Sequence, residues 1–343
     1  MKLSENISSN IINQNSNFHG VALTGVVGFI AFIIGNNFPL VGGAVSAIIL
    51  GVLLKNFIGV PKQYVQGIQY TLKKLLKVAI VLLGFGLSFH SILQTGLHSL
   101  LIIFVAVISG FTLTFFIAKL MGLKGNIPLL IGAGTGICGA TAIATTGPIL
   151  QAKQEDIAYA INTIFAFNVL AVLIYPLIGQ LLSLSELQFG IWAGSAIHDT
   201  SSVVAAGYMF GNESGDTSVV IKLIRTLMLI PFALAFAFYV SYRSAKSDLS
   251  QKNFTKAAIK AFPSFILLFV LAVFLNSWLQ FPTAMTDTTN FVAKFLIFMV
   301  MASVGLETNL KKIKSVGIKP LIVGLFSSII MGSISLALIF LFY

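Results

Sequence analysis

The chain has 343 residues, 57% of them apolar and 9% charged. A soluble domain carries about 25% charge, so composition excludes a water-soluble globule, and with it the nucleic-acid partner that a net charge of +11 would otherwise suggest. Apolar runs near the roughly 20 residues of a bilayer-crossing helix exclude an outer-membrane barrel, whose segments are about ten residues long and alternate. The expected fold class is therefore an all-α polytopic membrane protein of 9–11 transmembrane helices.

In chain order, Met1–Gly20 is polar and rich in Asn and Ser. It lacks the apolar core and small-residue cleavage site of a signal peptide and reads as a mobile cytoplasmic tail, residues 1–20. The remainder, 21–343, reads as one transmembrane transporter domain. Its clear apolar runs are 21–36, 39–55, 77–94, 99–118, 157–182, 219–241, 261–279, 290–306 and 320–343. Between the second and third runs, PKQYVQGIQYTLKKLL (61–76) opens on a proline suited to a first helical turn and sets Val65, Ile68, Leu72 and Leu75 on one face. That pattern predicts an amphipathic helix on the cytoplasmic surface. Segments 126–150 and 187–210 are long enough to cross but rich in Gly, Thr and Ser.

Lys and Arg gather in 55–77, 119–125, 242–260 and 307–319, and the alternate loops near 37, 95–98, 211–218 and 280–289 contain none. The positive-inside rule then puts the N-terminus in the cytoplasm and the C-terminus outside the cell membrane. Residue 125 is inside and residue 211 outside. Either both Gly-rich segments cross, for eleven spans, or both are re-entrant, for nine.

Those two segments resemble each other. Leu129–Leu150 aligns without a gap on Phe189–Phe210, with Ile131/Ile191, Ala133/Ala193, Gly134/Gly194, Ile137/Ile197 and Gly147/Gly207 identical. A weaker echo joins LLGFGLSFHSI (82–92) to MASVGLETNLKKI (301–313). By the charge topology this second pair runs in opposite senses, the inverted-repeat plan of many secondary transporters.

The candidate substrate site follows from the doubled segment. Gly134, Thr135, Gly136, Cys138, Gly139 and Thr141 interrupt the first copy, and Gly-Thr-Gly weakens a regular helix. Unwound backbone at membrane depth must be buried or line a wet cavity, and a half-helix N-terminus there is an anion site. The second copy carries His198, Asp199, Thr200, Ser201 and Ser202 in succession, a costly polar run in an apolar segment. His198 beside Asp199 is suited to binding a proton. Lys222 and Arg225 lie three apart on one helix face; Lys222 can snorkel, whereas Arg225 is expected to pair with Asp199 or grip an anion in a fork. Asn162 and Asn168 can face the site or join helices. The chain has no HExxH or GxSxG, so it is not read as an enzyme, and no cofactor is expected.

The stretches GTGICGATAIATTGPILQAKQEDIAYAINTIF (134–165), FGIWAGSAIHDTSSVVAAG (189–207) and VIKLIRTLMLIP (220–231) resemble the YeiH-type family of proposed sulfate exporters. The likeness extends from about residue 20 to the end, and ICGATAI and AIHD are its most specific parts. Asp199 stands where the family pattern has Glu, which keeps the charge and shortens the reach. The order LLGFGLSF, a span, then a broken Gly-rich segment also looks like the bile-acid and sodium symporter group. The resemblance implies a secondary transporter of a small anion, sulfate or a related oxyanion, working in export. A proton- or sodium-coupled organic-anion symporter and a non-transporting channel are the alternatives. The expected partners are the anion, the lipid bilayer and a coupling proton or sodium ion; a homodimer is compatible with this reading.

Overall fold

The computed structural model describes residues 2–37, 43–243, 263–279, 281–308 and 318–343. Their elements are α1 (Lys2–Asn37), α2 (Gly43–Leu53), α3 (Lys62–Tyr70), α4 (Leu76–Leu83), α5 (Phe89–Leu120), α6 (Ile127–Gly136), α7 (Ala140–Ile149), α8 (Gln154–Leu181), α9 (Glu186–Ala196), α10 (Thr200–Phe210), α11 (Asn212–Leu227), α12 (Leu229–Arg243), α13 (Ser264–Leu279), α14 (Thr283–Glu307) and α15 (Ile318–Phe342). Among the described residues there is no strand, and six helical stretches are long and apolar enough to cross a membrane. The protein is an all-α polytopic membrane protein. The basic loop beyond Arg243 and the end of the 301–313 echo lie outside the described residues.

The single domain expected over 21–343 divides into two compact units, Met1–Phe89 with Leu268–Leu310, and His90–Leu267 with Lys311–Tyr343. In the first unit, glycines let helices touch. A Cβ on Gly20 or Gly67 would fall on the backbone of the facing helix, α3 or α1, and Gly51 and Gly305 do the same for α2 and α14. Two expectations change here. The polar stretch read as a mobile tail is helical from Lys2, in one piece with the first apolar run. Extending an existing helix avoids the cost of nucleation, and no Gly or Pro interrupts residues 2–19. The helix of 61–76 forms, but it does not stand apart. It continues through a π-helical turn at Thr71–Leu75 into α4. Its buried side, Gly67, Ile68 and Thr71, faces α1, where Thr71 Oγ1 meets Thr24 Oγ1 at 3.1 Å.

The second unit is organised by α8. Its 28 residues make a rod of roughly 42 Å at 1.5 Å per residue. At one end, α6 and α7 form a hairpin, since Asn126 Nδ2 donates to Leu150 O at 3.0 Å across its base. Higher up, a Cβ on Gly134 would press on Ile143. At the other end α9 and α10 form a second hairpin. The Phe189 and Phe210 rings stack with centroids 4.0 Å apart, and Glu186 Oε2 accepts from the N–H groups of Glu213 (2.8 Å) and Ser214 (3.2 Å). Each hairpin returns the chain to the end of α8 where it began. The pairing decides the parity question in favour of two re-entrant segments.

Half-helices of 10 or 11 residues reach roughly 15–17 Å, so hairpins entering from opposite ends meet near the middle of α8. Asn168 lies there, and its Oδ1 accepts from Asp199 N at 3.2 Å. The tips touch: a Cβ on Gly139 would lie 3.5 Å from Asp199 Cα and Cβ.

Candidate functional site

The breaks in the two hairpins fall in the same register, 137–139 and 197–199, but they are made differently. In the first, Gly139 adopts φ +63° and ψ −130°, a conformation L side chains avoid. Its N–H reaches back to Gly134 O at 2.9 Å, and α7 then starts with no side-chain cap. In the second, no glycine is needed. Asp199 is extended (φ −94°, ψ 144°) and caps α10 with its own carboxylate. Oδ2 accepts from Ser201 N at 2.9 Å and from the Ser201 hydroxyl. The positive end of α10 therefore carries a built-in anion, while that of α7 carries none.

The cations are positioned by α11. Gly190 and Gly194 of α9 lie against Thr217, Ser218 and Ile221 of α11, a small-xxx-small contact that lets helices approach. The two helices run side by side in the same direction from the Glu186 base. Lys222 and Arg225 consequently reach the level where α9 ends. Both are completely buried. Lys222 Nζ donates to Ile137 O (3.2 Å), Ile197 O (2.8 Å) and His198 O (2.5 Å). Arg225 donates from Nε to Gly136 O (3.0 Å), from Nη1 to Ser195 O (2.6 Å) and Ile197 O (3.1 Å), and from Nη2 to Thr135 O (2.5 Å).

Every one of these acceptors is a backbone carbonyl at the end of α6 or α9. Helix ends leave such carbonyls without partners and carry partial negative charge; two buried cations answer both needs at once. This corrects the expected roles. Arg225 neither pairs with Asp199 nor presents a free fork to an anion, and Lys222 does not snorkel. All three ammonium protons have acceptors. Arg225 is also deeper than its place in the 219–241 run implies, because α11 is helical from Asn212 and Arg225 lies 13 residues, roughly 20 Å, along it.

The remaining expected residues sort by access. Gly134, Thr135 and Gly136 form the buried last turn of α6, and the Thr135 hydroxyl has no hydrogen-bond partner among the described residues. Cys138 is buried in an apolar cluster with Ile137, Ala142 and Trp192. Ser201 and Ser202 are buried. Thr141 is exposed and Ala140, Asp199 and Thr200 are half-buried, so the accessible side of the tips is the first turn of α7 with Asp199 and Thr200 beside it. His198 is buried; its Nε2 meets Ser328 Oγ of α15 at 3.1 Å, while Nδ1 has no partner among the described residues. Asn168 joins the site and Asn162 is exposed on α8.

A family model described as Conserved hypothetical protein 698 matches residues 19–324. UPF0324 membrane proteins of Clostridium tetani and Streptococcus mutans are 36% and 37% identical to the chain, covering 92% and 93% of it and 94% and 95% of themselves. The chain belongs to the UPF0324 membrane protein family. The Fusobacterium nucleatum member is similar at 36% identity over 91% of this chain.

Three parts of the candidate site are not legible in residue types and spacing. Ser328 is 130 residues from His198, and its one signal is the Ser327–Ser328 pair within an apolar run. The carbonyls of Ile137, Ser195 and Ile197 carry no signal, since every residue has one. The unequal capping of α7 and α10 was legible only as Gly139 opposite Asp199 in the alignment.

Proposed function

We propose that this UPF0324 protein is a secondary carrier of a small anion, bound where the two hairpin tips meet. The observation that carries the reading is the charge arrangement at the tips. Lys222 and Arg225 outweigh the two negative helix ends they cap, each equivalent to roughly half a charge. The N-termini of α7 and α10 add roughly half a positive charge each by the same rule, and Asp199 removes one. The sum is roughly one positive charge in a site shut off from water on most sides. The uncapped first turn of α7, with Thr141 exposed on it, offers N–H donors directed at a ligand.

Two hairpins entering from opposite ends of α8, with matched sequences, support an inverted-topology pair of the kind found in secondary transporters. Sulfate or a related oxyanion is the proposed substrate class, and export the proposed direction, with the N-terminus cytoplasmic and the C-terminus outside. A dianion leaving a negative interior gains about 4.6 kcal/mol per 100 mV, twice the value for one charge, so export needs no coupling ion. The test is counterflow of radiolabelled sulfate and sulfite in proteoliposomes. Saturable exchange accelerated by anion on the far side is expected. Flux without saturation or counterflow would assign a channel instead.

A further inference from the structure

We infer that the Lys222 ammonium is a tethered replacement for an alkali cation, seated in a ring of backbone carbonyls that would otherwise bind Na⁺. Its acceptors are Ile137 O, Ile197 O and His198 O, within 3.2 Å of Nζ. These three residues lie in the two breaks, where the helix no longer supplies N–H partners. Neutral oxygens from unwound backbone and half-helix C-termini, converging from two interrupted helices, are the ligand type that holds Na⁺ in interrupted-helix carriers. Here the point of convergence is filled by the chain's own cation.

The chemistry of the replacement fits. None of the three acceptors is a carboxylate, so the ring itself has no formal charge and suits a monovalent ion. An ammonium is a compact point charge with three donors, and three carbonyls accept from it. Arg225 covers the adjoining carbonyls of Thr135, Gly136 and Ser195. Between them the two side chains bind both helix ends together with no diffusible ion. A tethered charge does not leave during a transport cycle, so the tips stay joined and a sodium gradient has no ion to act through at this point. For transport, this rests on the carrier reading above. The test does not, because it is read on purified protein without substrate.

The experiment compares full-length wild type, Lys222→Ala and Lys222→Met, each purified in detergent in sodium chloride and in choline chloride at equal ionic strength. Recovery of folded protein and melting temperature are measured. Wild type is expected to melt at the same temperature in both salts. The two variants are expected to melt higher in sodium, with a rise that grows with the logarithm of its concentration, or to be recovered folded only in sodium. Sodium-dependent stabilisation of wild type would overturn the proposal. So would variants that behave alike in the two salts, whether folded or not, since a plain loss of packing does not distinguish sodium from choline.

Discussion

Replacing Arg225 by Ala removes four hydrogen bonds to carbonyls of both hairpins. Lys222 reaches only one of those carbonyls, that of Ile197, so three lose their side-chain partner inside a fully buried site. At about 0.6 kcal/mol per bond, the average between membrane helices, the loss is about 2.4 kcal/mol. At about 1.5 kcal/mol, the low end for bonds to a charged group, it is about 6 kcal/mol. Either is a large share of the roughly 5–15 kcal/mol that holds a protein folded. Cys138 provides the assay, being the one cysteine and 2% exposed within the first tip. A thiol-reactive fluorophore therefore reports opening of the tips directly. The lower estimate corresponds to labelling about 50-fold faster than wild type, at tenfold per 1.4 kcal/mol, together with a lower melting temperature. Arg225→Lys should fall between, because one ammonium cannot span both helix ends as the planar fork does. An Arg225→Ala protein that labels and melts like wild type, yet carries no anion, would refute this account and return Arg225 to direct contact with the substrate.

Gly139→Ala should lower stability by about 1–3 kcal/mol, the cost of a side chain in a disfavoured backbone region. Its nearest neighbours, 3.5 Å away, are at ordinary contact distance, so a steric clash adds little; thermal melting checks the value. Asp199→Ala removes the cap of α10 and should cost about 0.5–2 kcal/mol. It also frees a second helix N-terminus, so sulfate should raise its melting temperature more than that of wild type; an equal or smaller response would count against the anion site. Glu186→Gln keeps an acceptor for Glu213 N and Ser214 N but loses the charge at the start of α11, for a cost of about 0.3–1 kcal/mol. Glu186→Ala should lose more in the same melt. His198→Gln can still bond Ser328, so it should fold and keep sulfate counterflow in proteoliposomes; loss of counterflow in a folded variant would show that export depends on the imidazole.

The membrane class was determined by composition alone, because 9% charge cannot cover the surface of a soluble protein of this length. The ungapped match of Leu129–Leu150 to Phe189–Phe210 also located both breaks, since Gly139 and Asp199 each start the second half-helix by local chemistry, one through its backbone conformation and the other through its side-chain cap. Local rules could not choose between two crossing segments and two hairpins, because charge parity is the same for both. That choice was made by contacts between residues far apart in the chain, Asn126 with Leu150 and Glu186 with Glu213. The partners of Lys222 and Arg225 were equally invisible. A buried cation in the sequence announces that a partner exists, and an acidic side chain is the partner that residue types can suggest. Here the partners are main-chain carbonyls, identical in every residue, and only the meeting of two broken helices with α11 sets those seven oxygen contacts around two charges.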